Sequence, residues 1–315
     1  MKKLLYILIG LLAVSSCTKE VQIDLPEYSP KLVVEGRIEP GSPPVVFLTR
    51  SNDIYASTNV NDILSSFVHN ADVKVFNGID TFQLDELCSA DLPDNLKPLV
   101  ADFLGLEESQ LDEVDICAYT SLDPNSFGTI GSTYELFIEE SGRSYYSLTN
   151  INTLNPLDTL YFKENDDGVA DRGYIYAKCT DPSGTGNAYR WQSKRINQST
   201  NGASPNPTFQ TPFNSTFDDA FVDGIQFDFQ FNDPSSFGDE VADELKGFFS
   251  VGDTVIIRFS TVDHDVYTFF RQKDNQIQNG GSPFASPAPI PSNIIGGALG
   301  VWAGYGVWED TVFCE

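Results

Sequence analysis

Ser132-Thr-Tyr-Glu-Leu-Phe-Ile138 and Ser144-Tyr-Tyr-Ser-Leu148, with Ser141-Gly142 between them, form the stretch of sequence that decides the fold. Apolar and polar side chains largely alternate along both segments, which is the pattern of a half-buried β-strand. The short Ser-Gly link predicts a turn, so the two segments are expected to pair as a hairpin. Short strands joined by turns, without long helices between them, indicate an antiparallel β-sandwich.

Similar segments lie on both sides of this hairpin, and the composition agrees with them. The chain has 23 Phe, 13 Tyr, 24 Gly and 18 Pro but a single Met, which favours strands and turns. We predict an all-β protein with an Ig-like antiparallel β-sandwich over residues 31–155 and a second β-rich domain over residues 156–315. The further predicted strands are residues 31–38, 45–49, 71–76, 158–162, 173–179, 187–192, 227–231 and 253–259.

An apolar segment at residues 92–114 interrupts the first predicted domain. Its leucines, with Val100 and Phe103, recur at helical spacing, so a small helical insertion is expected there. Cys88 and Cys117 bracket this insertion, which predicts a disulfide between them. Closing a loop of this length stabilises a fold by about 3–4 kcal/mol in the chain-entropy model. Two interpretations stay open: a stapled recognition element, or an insertion that only packs on the sandwich.

Residues 1–17 have the pattern of an export signal. Lys2 and Lys3 precede an apolar run, and Val14-Ser-Ser-Cys17 follows it. The run is too short to span a bilayer as a helix, which needs ~20 residues. The cysteine at the cleavage position is similar to the lipobox of bacterial lipoproteins. We expect a signal peptide over residues 1–16, lipidation of Cys17 and a tether over residues 17–30; an ordinary signal peptide and an uncleaved anchor are the alternatives.

Charge and cysteine count restrict the partners and the chemistry. The chain has 19 Lys and Arg against 45 Asp and Glu, a net charge of −26. A field of this sign repels nucleic acid and anionic headgroups, so neither is expected as an electrostatic partner.

Four cysteines remain beyond Cys17, an even number that suggests two disulfides in an exported chain. With Cys88 and Cys117 paired, elimination leaves a link between Cys179 and Cys314.

Catalytic and metal-binding signals are weak. Asp263-His264-Asp265 places a histidine between carboxylates, but Val266, Phe269 and Phe270 follow at helical spacing, so Asp263 is expected to cap a helix. The carboxylates are too numerous for one pair to stand out as a glycosidase dyad. Asp166, Asp167 and Asp171 partly match the oxygen-ligand spacing of a calcium loop. A solvated turn is the alternative, because Lys163 and Tyr174 stand where acidic ligands belong.

Three further patterns carry alternative interpretations. Thr159, Thr254 and Thr311 each follow Asp and precede an apolar residue, which resembles the O-glycosylation sequon of the Bacteroidota. The alternative is that these threonines simply begin strands. Gly296, Gly297 and Gly300 lack the Lys-Ser/Thr of a phosphate loop, so a tight turn or close strand approach explains them better. Aromatic side chains near the C-terminal half are either a ligand platform or core residues: Tyr189, Trp191, Trp302, Tyr305 and Trp308.

Several of these segments occur together in an order that resembles a known family. Leu32-Val-Val-Glu-Gly36 follows the tether, and Asn187-Ala-Tyr-Arg-Trp191 follows Asp181-Pro182; the other matching segments are residues 134–138, 142–147, 156–158 and 293–300. This order is similar to that of the Bacteroidota lipoproteins catalogued as domain of unknown function 4249. The resemblance implies an all-β envelope lipoprotein, often encoded near TonB-dependent outer-membrane receptors. It implies no established activity and no catalytic residues.

Two classes of function follow as expectations. The shortage of histidine and of catalytic motifs favours a non-catalytic outer-membrane lipoprotein that captures a ligand or assists a TonB-dependent transporter. Lys19 and Glu20 after Cys17 partly resemble the export signal of surface lipoproteins, so exposure at the cell surface is expected. The alternative is an envelope hydrolase with an unrecognised carboxylate site. The expected partners are a TonB-dependent receptor and, through the lipid anchor, the membrane; no cofactor is expected apart from the calcium alternative.

Overall fold

The computed structural model describes residues 29–52, 66–92, 97, 109, 111, 116–165, 169–200, 202–237, 241–279 and 289–315. Within these residues the chain is mostly β-strand with one long helix, which confirms the predicted all-β fold class. The signal peptide, Cys17 and most of the tether lie outside the described residues. The elements are β1 (Leu32–Ile38), β2 (Val45–Arg50), β3 (Asp72–Phe76), β4 (Thr81–Cys88), β5 (Cys117–Thr120), β6 (Thr133–Glu140), β7 (Arg143–Asn150), β8 (Thr159–Glu164), β9 (Arg172–Thr180), β10 (Ala188–Arg195), β11 (Thr216–Asp218), β12 (Gln226–Phe231), β13 (Phe249–Ser250), β14 (Thr254–Val262), α1 (His264–Asn279), β15 (Leu299–Gly304) and β16 (Gly306–Phe313).

Eight strands form a nearly closed first sheet in the order β15-β1-β2-β5-β4-β3-β6-β7. The sheet turns a corner at β4, because Leu84 pairs with β3 whereas Asp85 begins the pairing with β5. Apolar residues from both sides of this corner share one buried core. At the other margin, Ile295 and Tyr146 exchange two backbone hydrogen bonds of 3.0 and 2.7 Å, which bring the segment before β15 to β7. The predicted hairpin is β6–β7, paired along its whole length.

Strand β15 joins this sheet from the far end of the chain, where it pairs in parallel with β1. Gly300 has φ +104°, and a Cβ at this position would lie 1.9 Å from the carbonyl oxygen of Val34. The structure therefore requires glycine for close strand approach, as the sequence indicated. Gly36 leaves similar room for the Trp302 ring. The first sheet thus includes a strand from the region that the sequence assigned to the second domain.

The remaining strands form two smaller sheets, in the orders β11-β10-β14-β16 and β12-β9-β13, with β8 pairing to β9. Their shared core is rich in aromatic rings. Tyr189 stacks on Phe259 with ring centroids 5.1 Å apart, and Trp191 meets Phe231 edge-on at 4.6 Å. These arrangements add about 0.5–1.5 kcal/mol per pair beyond the area that they bury.

Helix α1 covers one side of the junction between the first sheet and β10. Val266, Tyr267 and Phe270 are buried in a cluster with Val301 and other residues of β10, β14 and β15. The helix begins directly after Asp263, at the predicted position. Among the described residues, no helix combines the length and apolar character that crossing a bilayer requires.

The cysteines divide into one disulfide and two free thiols. Cys88 and Cys117 are bonded, which confirms that prediction, and they lie opposite each other on β4 and β5 with a sequence separation of 29. Cys179 and Cys314 are both free and buried, so the predicted link between them is wrong. The pairing was inferred only because these two cysteines were left over, and the structure places their thiols in different surroundings. The Cys179 sulfur accepts a hydrogen bond from Asn155 at 3.3 Å, whereas Cys314 lies near other carboxylates.

The predicted helical insertion lies mostly outside the described residues. Four of its positions are described: Lys97, Ser109 and Leu111 are helical, and Leu92 is not. Leu111 is buried. The ends of the insertion are close together, because Cys88 and Cys117 have Cα atoms 4.0 Å apart.

Candidate functional site

A cavity of about 400 Å³ lies between the outer face of the first sheet and the elements β10 and α1. Strands β1, β2 and β15 form one wall, and β10 and α1 form the other. This size is within the range of small-ligand sites. The lining residues are Glu35, Gly36, Arg37, Phe47, Thr49, Phe67, Ile116, Arg190, Gln192, Phe270, Lys273, Val301 and Tyr305.

Strand alternation explains why polar side chains reach this cavity. Successive side chains of a strand point to opposite faces. On β1, Val34 and Ile38 are buried in the sandwich core, so Glu35 and Arg37 face outward into the cavity. On β10, Trp191 packs into the aromatic core, and its neighbour Arg190 therefore faces the cavity from the opposite wall.

Arg190 is held in one orientation by two aromatic residues. Its guanidinium carbon lies 3.8 Å from the centroid of the Phe270 ring, a cation–π geometry. Its Nη1 donates a hydrogen bond of 3.0 Å to the hydroxyl of Tyr305. The Nε atom is buried and has no hydrogen-bond partner among the described residues. Within that part of the chain no carboxylate lies close enough to form an ion pair with Arg190, and its guanidinium instead contacts aromatic rings and a hydroxyl.

The electrostatics of the cavity follow from burial and from three cationic side chains. Arg37, Arg190 and Lys273 line it together with one carboxylate, Glu35. Burial lowers the pKa of Arg37, although nearby Glu39 opposes the shift. Burial also raises the pKa of Tyr305, and the positive charge of Arg190 opposes that shift. The site therefore holds permanent positive charge in a partly desolvated setting.

A second cavity of about 260 Å³ contains a buried ion pair. Arg195 Nη1 and Asp233 Oδ2 are 3.7 Å apart, and both side chains are less than a tenth exposed. The Asp233 carboxylate also accepts hydrogen bonds from the backbone and hydroxyl of Ser235 at 2.9 and 2.6 Å. Burial raises the pKa of Asp233 despite these partners. The pair therefore places a carboxyl group with a raised pKa next to a cavity.

Asp181, Asp219 and Asp223 bring carboxylate oxygens within 4.8 Å of one another, a spacing that could hold a metal ion. Their oxygens are, however, occupied by backbone donors. Asp219 accepts from Gly186 and Asn187 at 2.9 Å each, and the other two accept from Gly224 and Gly184. The cluster therefore joins two loops within the described chain.

The other predicted site residues are dispersed. Thr159 and Thr311 are exposed at the surface of β8 and β16, whereas Thr254 is half-buried. Asp171 has a positive φ of 58°, consistent with a turn, and Asp166 and Asp167 lie outside the described residues. The aromatic platform does not form. Tyr189, Trp191 and Trp308 belong to one core, Trp302 belongs to another, and Tyr305 alone lines the cavity.

Sequence reasoning missed the cationic residues of the cavity. Arg37 and Arg190 occur inside predicted strands, each next to residues that are buried on the other face. An arginine at an outward position of a strand usually faces solvent, so periodicity alone could not select these two. The signal that was available was Tyr305, which was considered as a ligand-platform residue and does reach the cavity.

Among the comparisons with known proteins, a family model matches the chain. No curated protein matches the chain. Among solved structures, the crystal structure of a Salmonella alpha-2-macroglobulin mutant aligns at 8% identity with a TM-score of 0.21, covering 96% of this chain and 16% of that one. A TM-score this low carries no argument about fold or function. The family model described as Domain of unknown function (DUF4249) matches residues 18–310. The chain therefore belongs to this family.

Proposed function

We propose that this chain is a non-catalytic lipoprotein of the outer membrane that captures a small ligand and assists a TonB-dependent transporter. The observation that carries the proposal is the cavity of about 400 Å³ between the first sheet and α1. Its side chains are suited to binding: arginine, lysine and aromatic rings hold a ligand in place. Arginine stays protonated throughout the physiological range, so it is a poor proton-transfer group.

Retention of the ligand is tested by filling the cavity. Thr49 lies half-buried on the outer face of β2 and lines the cavity, so Thr49→Trp occupies the space without entering the sandwich core. Thr81→Trp is the matched control, because Thr81 is exposed at the start of β4. The full chain is purified from its native membrane in detergent, and released small molecules are identified by mass spectrometry. A compound should accompany wild type and Thr81→Trp but not Thr49→Trp; equal retention by all three proteins contradicts capture in this cavity.

Anchoring to the membrane is supported by the lipobox-like sequence that ends at Cys17. Cys17→Ala should move the protein from the membrane fraction to the soluble envelope fraction. Labelled palmitate should be incorporated into wild type and not into the variant. Absence of label from wild type contradicts lipidation. Protease added to intact cells then tests exposure at the cell surface, since a protein facing the periplasm is protected.

The transporter partner is supported by the family resemblance and is an inference by analogy. Crosslinking in live cells followed by mass spectrometry tests it, with receptor peptides as the expected result. The proposed contact elements are the insertion at residues 92–114 and the loops at residues 197–215 and 280–292. Because Cys88 and Cys117 lie opposite each other on β4 and β5, a short turn can replace this insertion while the strand pairing remains. The shortened protein should fold but lose crosslinks; recovery of wild type only as a free monomer contradicts the partnership.

One observation favours the alternative of an envelope hydrolase. Asp233 combines burial, a raised pKa and a neighbouring cavity, which is how catalytic carboxylates are often arranged. Its oxygens are nevertheless engaged by Arg195 and Ser235. Hydrolysis of chromogenic glycoside and ester substrates by wild type, lost in Asp233→Asn, would favour this alternative over capture.

A further inference from the structure

The cavity has the opposite charge to the rest of the chain. Acidic residues outnumber basic ones by 45 to 19 over the whole sequence. Around the cavity the balance is reversed, because three cationic side chains, Arg37, Arg190 and Lys273, line it with one carboxylate, Glu35, while a second carboxylate, Glu39, lies near Arg37. A concave site with this local charge inside an acidic protein concentrates small anions while the outer surface repels large polyanions.

Arg190 is held in a defined orientation before any ligand binds. The Phe270 ring covers one face of its guanidinium, and the Tyr305 hydroxyl fixes one end. Ordering this long side chain in advance reduces the entropy that binding would otherwise cost. A planar guanidinium prepared in this way suits a carboxylate or a similar planar anion, which it binds through parallel hydrogen bonds.

Beside the charged residues and the polar Thr49 and Gln192, the lining includes apolar side chains. Phe47, Phe67 and Val301 line the cavity with the ring of Phe270. A bare inorganic ion would leave these surfaces in contact with water, whereas a ligand with an apolar body would cover them. The cavity volume of about 400 Å³ accommodates a ring-sized body.

We infer that the captured ligand is a small organic acid with an apolar, ring-sized body, whose anionic group is held by Arg190 with support from Arg37 and Lys273. This inference rests on the proposed capture function. It specifies the ligand class that the proposed function leaves open, and it assigns the binding of charge to named residues.

The test compares two probes of equal shape, 2-naphthoate and its neutral amide, 2-naphthamide. Binding to the purified full chain is measured by calorimetry at low salt, with inorganic phosphate as a third probe. Wild type should bind 2-naphthoate at least tenfold more tightly than 2-naphthamide and should bind phosphate more weakly than either. Arg190→Gln should remove the preference for the anion. Arg143→Gln, an exposed arginine of β7 outside the cavity, should keep it.

A second cavity variant, measured together with thermal unfolding, separates an effect on ligand binding from an effect on folding. Lys273→Gln alters the cavity from α1 and should reduce the preference several-fold, and thermal unfolding confirms that each variant is folded. Equal binding of naphthoate and naphthamide by wild type, with both lost in Thr49→Trp, overturns the anion assignment and leaves capture standing. Binding of neither probe by wild type also overturns the inference. Naphthoate binding that Thr49→Trp leaves unchanged overturns capture in this cavity as well.

Discussion

The Asp263 carboxylate accepts a hydrogen bond of 2.7 Å from the backbone N–H of Asn150, across 113 positions of sequence. The same carboxylate accepts from the Thr149 hydroxyl and from the Asn152 side chain. Asp263 thus stands at the start of α1, where the sequence predicts a helix cap, yet these bonds lead to the end of β7 and beyond. One residue thereby ties the helix to the first sheet.

Asp263→Ala should lower the free energy of unfolding by about 1–3 kcal/mol, because it leaves donors in a partly buried junction without an acceptor. Asp265→Ala is the control, since Asp265 is exposed in the first turn of the same helix. The control should change stability by less than about 1 kcal/mol through the helix dipole. Urea denaturation measures both variants. Equal losses would show that the helix start, rather than the tie to β7, accounts for the effect.

Gly300→Ala should be far more destabilising than Gly297→Ala. Both glycines have positive φ, so alanine costs about 1–2 kcal/mol at either position. Only at Gly300 would the new Cβ collide with backbone, 1.9 Å from the carbonyl oxygen of Val34, whereas nothing lies within 4 Å at Gly297. Thermal unfolding of the two variants checks the difference. A similar melting temperature for both would contradict the close approach of β15 to β1.

The free thiols of Cys179 and Cys314 should resist alkylation in the folded protein, and Cys88 and Cys117 should be recovered as a disulfide. Burial raises the pKa of Cys179 to about 12 and the pKa of Cys314 to about 12, so neither forms the reactive thiolate near neutral pH. Iodoacetamide at pH 8 should label neither residue until the protein is denatured. Peptide mapping should recover Cys88 linked to Cys117, and reduction of this bond should cost about 3–4 kcal/mol of stability. A linked Cys179–Cys314 peptide would contradict the free thiols.

The contribution of Asp233 to the free energy of unfolding should fall as the pH rises. Burial raises the pKa of this carboxyl above its ordinary value, so the folded state binds the proton more tightly than the unfolded state. Its contribution is therefore present at low pH and is lost as the pH rises through the folded-state pKa. Unfolding free energies of wild type and Asp233→Asn, measured from pH 3 to 7, should show a difference that declines with pH.

Asp243 is the control for this measurement, because its pKa is shifted in the opposite direction. A hydrogen bond from Lys246 lowers its pKa, so its contribution appears as the pH rises and is lost in acid. The difference between wild type and Asp243→Asn should therefore not decline with pH. A decline for both variants would mean that the Asp233 result reports a general pH effect.

The alternation of apolar and polar residues was enough to predict the strands that have this pattern, but it could not predict the strands that lack it. The hairpin β6–β7 could be predicted because Tyr134, Leu136 and Ile138 alternate with polar residues. Strand β13 has two residues and no period, and β16 carries exposed acidic residues in its middle, so neither gave a signal. The parallel pairing of β15 with β1 depends on a contact across almost the whole chain, which no local window contains.

The candidate site was harder to predict than the fold for the same reason. Arg190 and Tyr305 are 115 positions apart, and their hydrogen bond exists only because the first sheet, the sheet that contains β10, and α1 meet. Elimination was also a poor guide: it paired Cys179 with Cys314, although both are free thiols whose pKa values are raised by burial and by nearby carboxylates. By contrast, the Cys88–Cys117 pairing was predictable because the two residues bracket one continuous segment.

The parallel pair of β1 and β15 has a consequence for the timing of folding. Strands β1 and β15 are far apart in sequence, so their pairing closes a long loop and is expected to form late in folding. Until then one edge of β1 has β2 beside it and the other edge is open, which is the kind of edge on which unfinished chains associate. The first sheet therefore keeps an unpaired edge until this long-range pairing forms, and partly folded chains are prone to associate through that edge.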